Sequence, residues 1–191
     1  MEKITLGGGC FWCTEAIFRR LKGVTKVTSG YAGGKGENPT YSEVSTGETG
    51  FVESVQIEFD PKILSLDNLL DVFWATHDPT TLNRQGPDVG TQYKSMIFYQ
   101  GEKQKEIAEK SKEKMDKSGE LKGKIVTQIL FLDKFYTAEE YHQNYYEKNK
   151  DTNSYCSLVI DPKIEKLINK FNNLVREEGA AMTSGACEDR R

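Results

Sequence analysis

The sequence is poor in cysteine, histidine and proline, and it has no long apolar run. Its 191 residues include four cysteines, two histidines and five prolines. Four cysteines are too few for a disulfide-built scaffold of this length, which favours a reducing compartment and predicts a cytoplasmic protein. No stretch approaches the roughly 20 apolar residues that span a bilayer, and the first residues lack a signal-peptide pattern. We therefore expect no membrane association.

An excess of charge of one sign is also lacking. The chain has 26 Lys and Arg against 29 Asp and Glu, a formal net charge of −3. Without a basic stripe, the composition does not favour a nucleic-acid partner. The length suits a single core, so we predict one catalytic domain over residues 1–178 that acts as a monomer. The remaining residues, 179–191, are small and polar and are predicted to form a mobile tail.

The most informative segment that is present is residues 7–15, GGGCFWCTE. A short strand over residues 4–6 precedes it, and a helix is predicted to open at Thr14. Cys10 therefore lies at a glycine-rich turn close to a helix N-terminus, where free N–H groups and the helix dipole favour an anion. Such a setting lowers the pKa of a thiol and makes it nucleophilic. We predict that Cys10 is a nucleophile.

Cys13 completes a Cys-x-x-Cys pair with Cys10, and this pair supports two further hypotheses. One is a general thiol–disulfide oxidoreductase that uses both thiols, as a thioredoxin-like motif does. The other is a zinc or interaction module without catalytic activity. Zinc would need a second pair of ligands, but His77 and His142 are far apart in the sequence. We therefore expect no metal.

Strands and helices alternate without an internal repeat. Strands are predicted at residues 24–31, 51–59, 93–99 and 125–132, and helices at 66–76, 102–118, 138–149 and 162–177. The order βαββαβαβαα, with few βαβ units, predicts an α+β fold with a mixed central sheet and flanking helices. Two long loops, residues 32–39 and 77–92, are expected to carry functional side chains.

Several short motifs resemble those of one enzyme family and occur in the family's order. They are GCFW at 9–12, GYAGG at 30–34, NPTY at 38–41, HDPT at 77–80, NRQG at 83–86, GTQY at 90–93, EEYHQ at 139–143 and YC at 155–156. The chain thereby resembles the A-type peptide methionine sulfoxide reductases. The resemblance implies a ferredoxin-like α/β sandwich core. It also implies reduction of the S epimer of methionine sulfoxide, free or in proteins, without a bound cofactor.

The resemblance assigns roles to individual residues. Cys10 would attack the sulfoxide and become a sulfenic acid, which a second thiol can capture. Glu53 would supply the proton, since burial in its strand would raise its pKa. Tyr41 and Tyr93 would donate hydrogen bonds to the sulfoxide oxygen. Glu15 is an alternative acid, although a carboxylate in the first turns of a helix is ordinary capping chemistry.

Substrate binding is assigned to three further residues by the resemblance. Phe11 and Trp12 would form an apolar cage for the methyl group on the substrate sulfur. Asp88 would polarise the substrate region, directly or through water. Two adjacent aromatic residues cannot share one helix face, so we expect that at least one of them faces away from a helix-packed core or that the helix begins after both.

Regeneration of the enzyme involves the remaining cysteines. Cys156 stands where the family often has a resolving cysteine, and Cys187 on the tail is a candidate second resolving thiol that passes the disulfide to thioredoxin or a similar reductant. Two departures from the family pattern bear on this relay. Position 13, commonly glycine in the family, is Cys13, and residues 157–162, SLVIDP, replace a glycine-rich tail. Cys13 is thus either an alternative resolving thiol or a packed or solvent-facing bystander.

Overall fold

A six-stranded mixed sheet forms the centre of the structure, a computed structural model that describes residues 1–177. The strands are β1 (Glu2–Gly8), β2 (Val24–Ala32), β3 (Val52–Phe59), β4 (Arg84–Gln85), β5 (Asp88–Val89), β6 (Ser95–Tyr99), β7 (Gln128–Phe131) and β8 (Phe135–Thr137). The sheet order is β7-β6-β1-β3-β2-β8, while β4 and β5 pair as a separate hairpin. Only the β6–β7 pair of the large sheet is parallel.

Helices connect and cover the strands. The α-helices are α1 (Phe11–Phe18), α2 (Tyr41–Val44), α3 (Leu66–Thr76), α4 (Glu102–Asp116), α5 (Tyr145–Asn149) and α6 (Asp161–Phe171). Short 3₁₀ turns occur at Thr91–Tyr93, Glu140–His142 and Asn172–Leu174, and one π-helical turn spans Cys156–Ile160. Within residues 1–177, no helix has the length and apolar character needed to cross a bilayer.

The first six large elements form a ferredoxin-like core. Their order along the chain is β1-α1-β2-β3-α3-β6, and the corresponding strands lie in the sheet order β6-β1-β3-β2 with antiparallel neighbours. This is the βαββαβ arrangement of that fold. The prediction of an α+β fold with a mixed sheet and flanking helices is therefore confirmed.

The apolar face of β3 shows how the core is built. Val55, Ile57 and Phe59 alternate along the strand and are fully buried, as the two-residue period of a strand requires. Glu53 lies on the same side of β3 as these three, so the register carries a carboxylate into the interior. Helix α3 contributes its buried face, including Leu69, and begins after Ser65, whose side chain accepts a hydrogen bond from Asn68 N.

Several predicted boundaries were wrong. Helix α1 begins at Phe11 rather than at Thr14, so both aromatic residues of the motif lie in its first turn. The predicted buried strand over 125–132 is shorter and lies at the sheet edge, where most of its side chains are exposed. The predicted helix over 138–149 is interrupted because Asn144 has a left-handed backbone with φ of 55°. The final α-helix ends at Phe171.

Three elements were not predicted at all: α2, the β4–β5 hairpin and β8. The hairpin matters for function, because it lies within the predicted loop 77–92 and carries Asp88. The predicted domain boundary at residue 178 and the predicted mobile tail with Cys187 lie outside the described residues.

Candidate active site

Cys10 lies at the junction of β1 and α1. It is the N-cap of α1 and is 6% exposed. The turn before it depends on Gly9, whose φ of +88° disfavours other residues. A Cβ atom at Gly9 would also lie 2.5 Å from Cβ of Gln85. The backbone therefore brings Cys10 to the helix N-terminus through a turn that only glycine fits.

Cys13 and Cys10 form a buried thiol pair one helical turn apart. Cys13 is 1% exposed, and its thiol belongs to the same buried cluster as that of Cys10. The neighbouring Cys10 thiol is the main cause that lowers the pKa of Cys13, to about 6, whereas burial raises the pKa of Cys10 well above its ordinary value. Burial thus opposes the lowering of the Cys10 pKa that the helix N-terminus favours, and the two thiols lose their protons as a coupled pair.

Glu53 is a buried carboxyl group beside the thiols. It is 2% exposed, and burial raises its pKa to about 8, although a hydrogen bond from Phe11 N to Oε2 at 3.0 Å opposes that rise. Asp88 and Cys13 add to the rise through their negative charge. Glu53 therefore holds a proton at neutral pH. Because Oε2 accepts the backbone N–H, the proton lies on the other carboxyl oxygen.

Tyr41 and Tyr93 reach the same region from two short elements. Tyr41 is the first residue of α2, and its backbone N–H donates to Glu139 Oε1 at 2.8 Å. Tyr93 ends the 3₁₀ turn that follows the β4–β5 hairpin. Burial is the main cause that raises the pKa of both phenols, and the nearby Glu53 adds to it. Both tyrosines thus remain hydrogen-bond donors.

Phe11 and Trp12 form the apolar side of the site. Trp12 donates from Nε1 to Nδ1 of His142 at 3.0 Å and stacks on Tyr145 with ring centroids 3.7 Å apart. The Phe11 ring is almost fully buried and lies 4.9 Å from the His142 ring, centroid to centroid. Two residues that the sequence analysis did not assign, His142 and Tyr145, therefore hold the Trp12 indole in place.

Glu15, the alternative acid, is used elsewhere. Its carboxylate is buried and accepts hydrogen bonds from Asn144 N at 2.8 Å and Tyr145 N at 3.3 Å. It thus satisfies free N–H groups at the start of α5 rather than in its own helix. Glu15 does not line the cavity beside Cys10.

One cavity of about 240 Å³ brings these groups together. Its lining consists of Cys10, Phe11, Trp12, Tyr41, Glu53, Asp88, Tyr93 and Tyr155. Seven of these eight are residues to which the sequence analysis gave a role. The eighth, Tyr155, had been noted only as the neighbour of Cys156, and its hydroxyl donates to Asp88 Oδ2 at 2.7 Å.

Cys156 is close to the thiol pair but does not line the cavity. It is fully buried and belongs to the same apolar cluster as Cys10 and Cys13. Burial is the main cause that raises its pKa. Cys187 lies outside the described residues. In residues 1–177, no three His, Cys, Asp or Glu side chains are grouped so as to hold a metal ion, which leaves the zinc hypothesis without a ligand set there.

Comparison with known proteins identifies the family of the chain. The family model described as peptide methionine sulfoxide reductase matches residues 2–174. A relative from Sulfolobus acidocaldarius, "Peptide methionine sulfoxide reductase MsrA", is 53% identical over 90% of this chain and 96% of its own length.

Solved structures show the same similarity. Reduced Mxr1 from Saccharomyces cerevisiae has a TM-score of 0.70 and 41% identity, covering 80% of this chain and 87% of Mxr1. Mxr1 in complex with Trx2 has a TM-score of 0.51 and 31% identity, covering 75% and 84% of the two chains.

The fold, and a cavity lined by a thiol, two carboxyl groups and tyrosine hydroxyls, define a thiol-based oxidoreductase. The chain belongs to the peptide methionine sulfoxide reductase family. It is an enzyme that reduces methionine sulfoxide.

Proposed function

We propose that the chain reduces the S epimer of methionine sulfoxide, free or in proteins, with Cys10 as nucleophile and Glu53 as acid. One observation carries the proposal: a thiol, a protonated carboxyl and two protonated phenols line the same cavity. A sulfoxide has an electrophilic sulfur and a basic oxygen, so its reduction needs both a thiolate and a proton donor.

The thiol pair supplies the thiolate. Cys13, whose pKa is lowered and which lies in the same buried cluster, takes the proton of the Cys10 thiol, which places the negative charge on Cys10. Attack of Cys10 on the substrate sulfur forms an S–S bond, and Glu53 transfers its proton to the sulfoxide oxygen. The resulting hydroxyl group then moves to the Cys10 sulfur, while the S–O bond of the substrate and the new S–S bond both break. Methionine leaves, and Cys10 is left as a sulfenic acid. The sulfoxide is reduced by two electrons, and Cys10 is oxidised by two.

The cavity distinguishes the epimers through two kinds of contact. Phe11 and Trp12 enclose the methyl group, while Tyr41 and Tyr93 donate hydrogen bonds to the sulfoxide oxygen. Asp88 contacts the substrate region directly or through water. Since the methyl group and the oxygen exchange places in the R epimer, that epimer would put a polar oxygen against the apolar wall without a hydrogen bond, which is costly.

A second thiol must capture the sulfenic acid. The reaction joins the two sulfurs and releases the oxygen as water. Cys156 is the resolving residue that the family resemblance indicates. Cys13 is favoured by the structure, because it already contacts Cys10 and residues at i and i+3 of a helix lie within disulfide reach. We therefore propose that Cys13 reacts first and that Cys156, in the same cluster, takes over the disulfide.

The final reductant is proposed to be thioredoxin or a similar dithiol protein. The structure of Mxr1 with Trx2 supports this choice, and Cys187 is a candidate to present the disulfide to it. We also propose that the enzyme works as a monomer, because one chain supplies every lining residue of the cavity. Free buried thiols at the site are compatible with a cytoplasmic location.

Turnover of the separated S and R epimers of a blocked methionine sulfoxide, with dithiothreitol as reductant, tests the proposal. We expect only the S epimer to be consumed. Cys10→Ser should abolish turnover because the nucleophile is lost. Consumption of the R epimer, or substantial turnover by Cys10→Ser, would contradict the proposed mechanism.

A further inference from the structure

Tyr155 makes contacts that the proposed mechanism does not use. Its hydroxyl donates to Asp88 Oδ2 at 2.7 Å, and its oxygen lies 3.6 Å from the Cys13 sulfur. Cys10 lines the same cavity as Tyr155. The Tyr155 hydroxyl therefore lies between a carboxylate and the Cys13 member of the thiol pair, inside the cavity where substrate would bind.

The position of Tyr155 is fixed by its neighbours. Its backbone N–H donates to Asn153 Oδ1 at 2.9 Å, and Asn153 Nδ2 donates to the Tyr145 hydroxyl at 2.8 Å. Its ring meets the Trp12 ring edge-on, with centroids 6.0 Å apart. The chain thus holds the Tyr155 ring against the wall of the cavity, while its C–O bond remains an axis about which the hydroxyl proton can rotate.

A phenol has one proton to donate, and two acceptors compete for it here. While the proton points to Asp88, the oxygen presents only lone pairs to the sulfurs and can accept an S–H. When the pair loses a proton, a thiolate becomes a second anionic acceptor, and charge-assisted hydrogen bonds are the strong ones. Burial and the neighbouring anions raise the pKa of Tyr155, so the hydroxyl itself stays protonated.

We propose that Tyr155 is a further catalytic residue, whose hydroxyl turns from Asp88 to the thiolate of the Cys10–Cys13 pair. No covalent bond changes in this step. The thiolate gains a donor, and the Asp88 oxygen loses one and becomes free to accept a hydrogen bond from the substrate. The proposal rests on the proposed role of Cys10, and it couples formation of the nucleophile to substrate recognition by Asp88.

The first test is the pH dependence of thiol alkylation in Tyr155→Phe. Iodoacetamide is the probe, and peptide mass spectrometry follows the rate at Cys10 and Cys13 separately. The variant lacks the hydrogen bond from the Tyr155 hydroxyl to the thiolate, so the pH midpoint for alkylation of the pair should rise by about one unit. Below the midpoint, this shift corresponds to roughly tenfold less thiolate. Tyr146→Phe is the matched control, because it removes a hydroxyl that donates to Asp161 Oδ1 at 2.6 Å, and we expect its midpoint to equal that of the wild type.

A double-mutant cycle with Asp88→Asn distinguishes the reorientation of the Tyr155 hydroxyl from the effect of the Asp88 charge alone. Asp88→Asn alone should lower the midpoint, since it removes a negative charge and leaves only a weaker, neutral amide oxygen to compete for the Tyr155 proton. In the Tyr155→Phe background only the charge effect remains, so the shift should be smaller. An unchanged midpoint in Tyr155→Phe, or equal Asp88→Asn shifts in both backgrounds, would overturn the proposal. Alkylation needs no sulfoxide, so failure of the proposed function would show separately, as missing reductase activity of the wild type.

Discussion

Glu53 shows how one buried residue affects both activity and stability. Its pKa is raised from 4.5 to about 8, chiefly by burial, so the folded state binds its proton more tightly than the unfolded chain does. The stabilisation from this protonated group is fully present below pH 4.5 and is lost as the pH rises to about 8. The same group can donate a proton to the substrate only while it remains protonated.

Glu53→Gln should therefore separate the two effects. Loss of the acid should lower turnover of the S sulfoxide by about 10²–10⁴-fold. The amide cannot ionise, so the free energy of unfolding at pH 9 should be higher in the variant than in the wild type, and this advantage should shrink towards pH 6. Turnover and urea unfolding are measured at both pH values.

The matched control for Glu53 is Glu48→Gln, which changes an exposed carboxylate. We expect neither turnover nor the pH dependence of unfolding to change there. Wild-type turnover in Glu53→Gln would remove Glu53 as the acid, and equal unfolding free energies at pH 9 would show that its charge is not destabilising.

The site could be predicted in part because its residues lie in short motifs. Cys10 and the two cavity tyrosines lie in such motifs, whereas Glu53 was assigned by the family resemblance as a carboxylate within a strand. The fold brings all four residues to one cavity. The electrostatics of the thiol pair could not be predicted, because the proton distribution depends on burial and on a contact between side chains. Tyr155 was missed because its role depends on Asp88, which a different part of the chain supplies. Its position beside a cysteine was the only signal available.

At the level of elements, the β1–α1 turn determines where Cys10, the proposed nucleophile, lies. Gly9 combines a left-handed backbone with close packing against Gln85. Gln85 is itself held by Asp78, since its Oε1 accepts from Asp78 N and its Nε2 donates to Asp78 O, both at 3.0 Å. The hairpin that carries Asp88 is therefore packed directly against the turn that carries Cys10.

Gly9→Ala should lower both stability and activity. The strained backbone costs about 1–2 kcal/mol, and the new methyl group must displace Gln85. Gly36→Ala is the matched control, because its φ of +108° imposes strain but no atom lies within 4 Å of the added Cβ. We expect a clear loss of sulfoxide turnover only in Gly9→Ala, measured beside urea unfolding of both variants. Equal losses in the two would mean that packing against Gln85 does not matter.

The elements that could be predicted were those in which apolar residues recur at a regular spacing. Helix α3 was predicted at its observed bounds because its apolar residues recur at helical spacing. The segment from residue 138 to 149 was predicted as one helix, yet Glu15, more than a hundred residues away, binds the N–H groups around the left-handed Asn144. Strand β8 exists because it pairs with the edge of β2. Such contacts between distant segments are not visible in local periodicity.

At the level of the whole molecule, the three thiols of the described residues lie in one buried cluster. Cys10 lines the cavity, whereas Cys13, one helical turn further along α1, and the fully buried Cys156 do not. A large dithiol protein cannot reach a fully buried sulfur, so its reduction of a disulfide at Cys156 would require that sulfur to become exposed. A small reductant that enters the cavity avoids this requirement.

Cysteine variants should therefore respond differently to the two kinds of reductant. With dithiothreitol, Cys156→Ser should keep turnover, because the small thiol reduces the Cys10 sulfenic acid directly. Cys13→Ser should turn over more slowly even with dithiothreitol, since it also lacks the thiol that takes the Cys10 proton. With thioredoxin, each should lose about tenfold or more, since both steps of the proposed relay are needed. After one equivalent of sulfoxide, non-reducing peptide mass spectrometry should find a Cys10–Cys13 disulfide in Cys156→Ser. If the Cys10–Cys156 disulfide forms as fast in Cys13→Ser as in the wild type, Cys156 does not need Cys13 to react first. That result would contradict the proposed order, in which Cys13 reacts before Cys156.

The same assay on a chain that ends at Glu177 decides the role of Cys187. This chain retains all three thiols of the described structure and the whole cavity, so its turnover with dithiothreitol should equal that of the full chain. If Cys187 presents the disulfide to thioredoxin, only the thioredoxin-dependent rate should fall, and Cys187→Ser in the full chain should reproduce that fall. If all three proteins have equal thioredoxin-dependent rates, Cys187 takes no part in the relay. Thioredoxin would then reduce the disulfide at Cys156 directly.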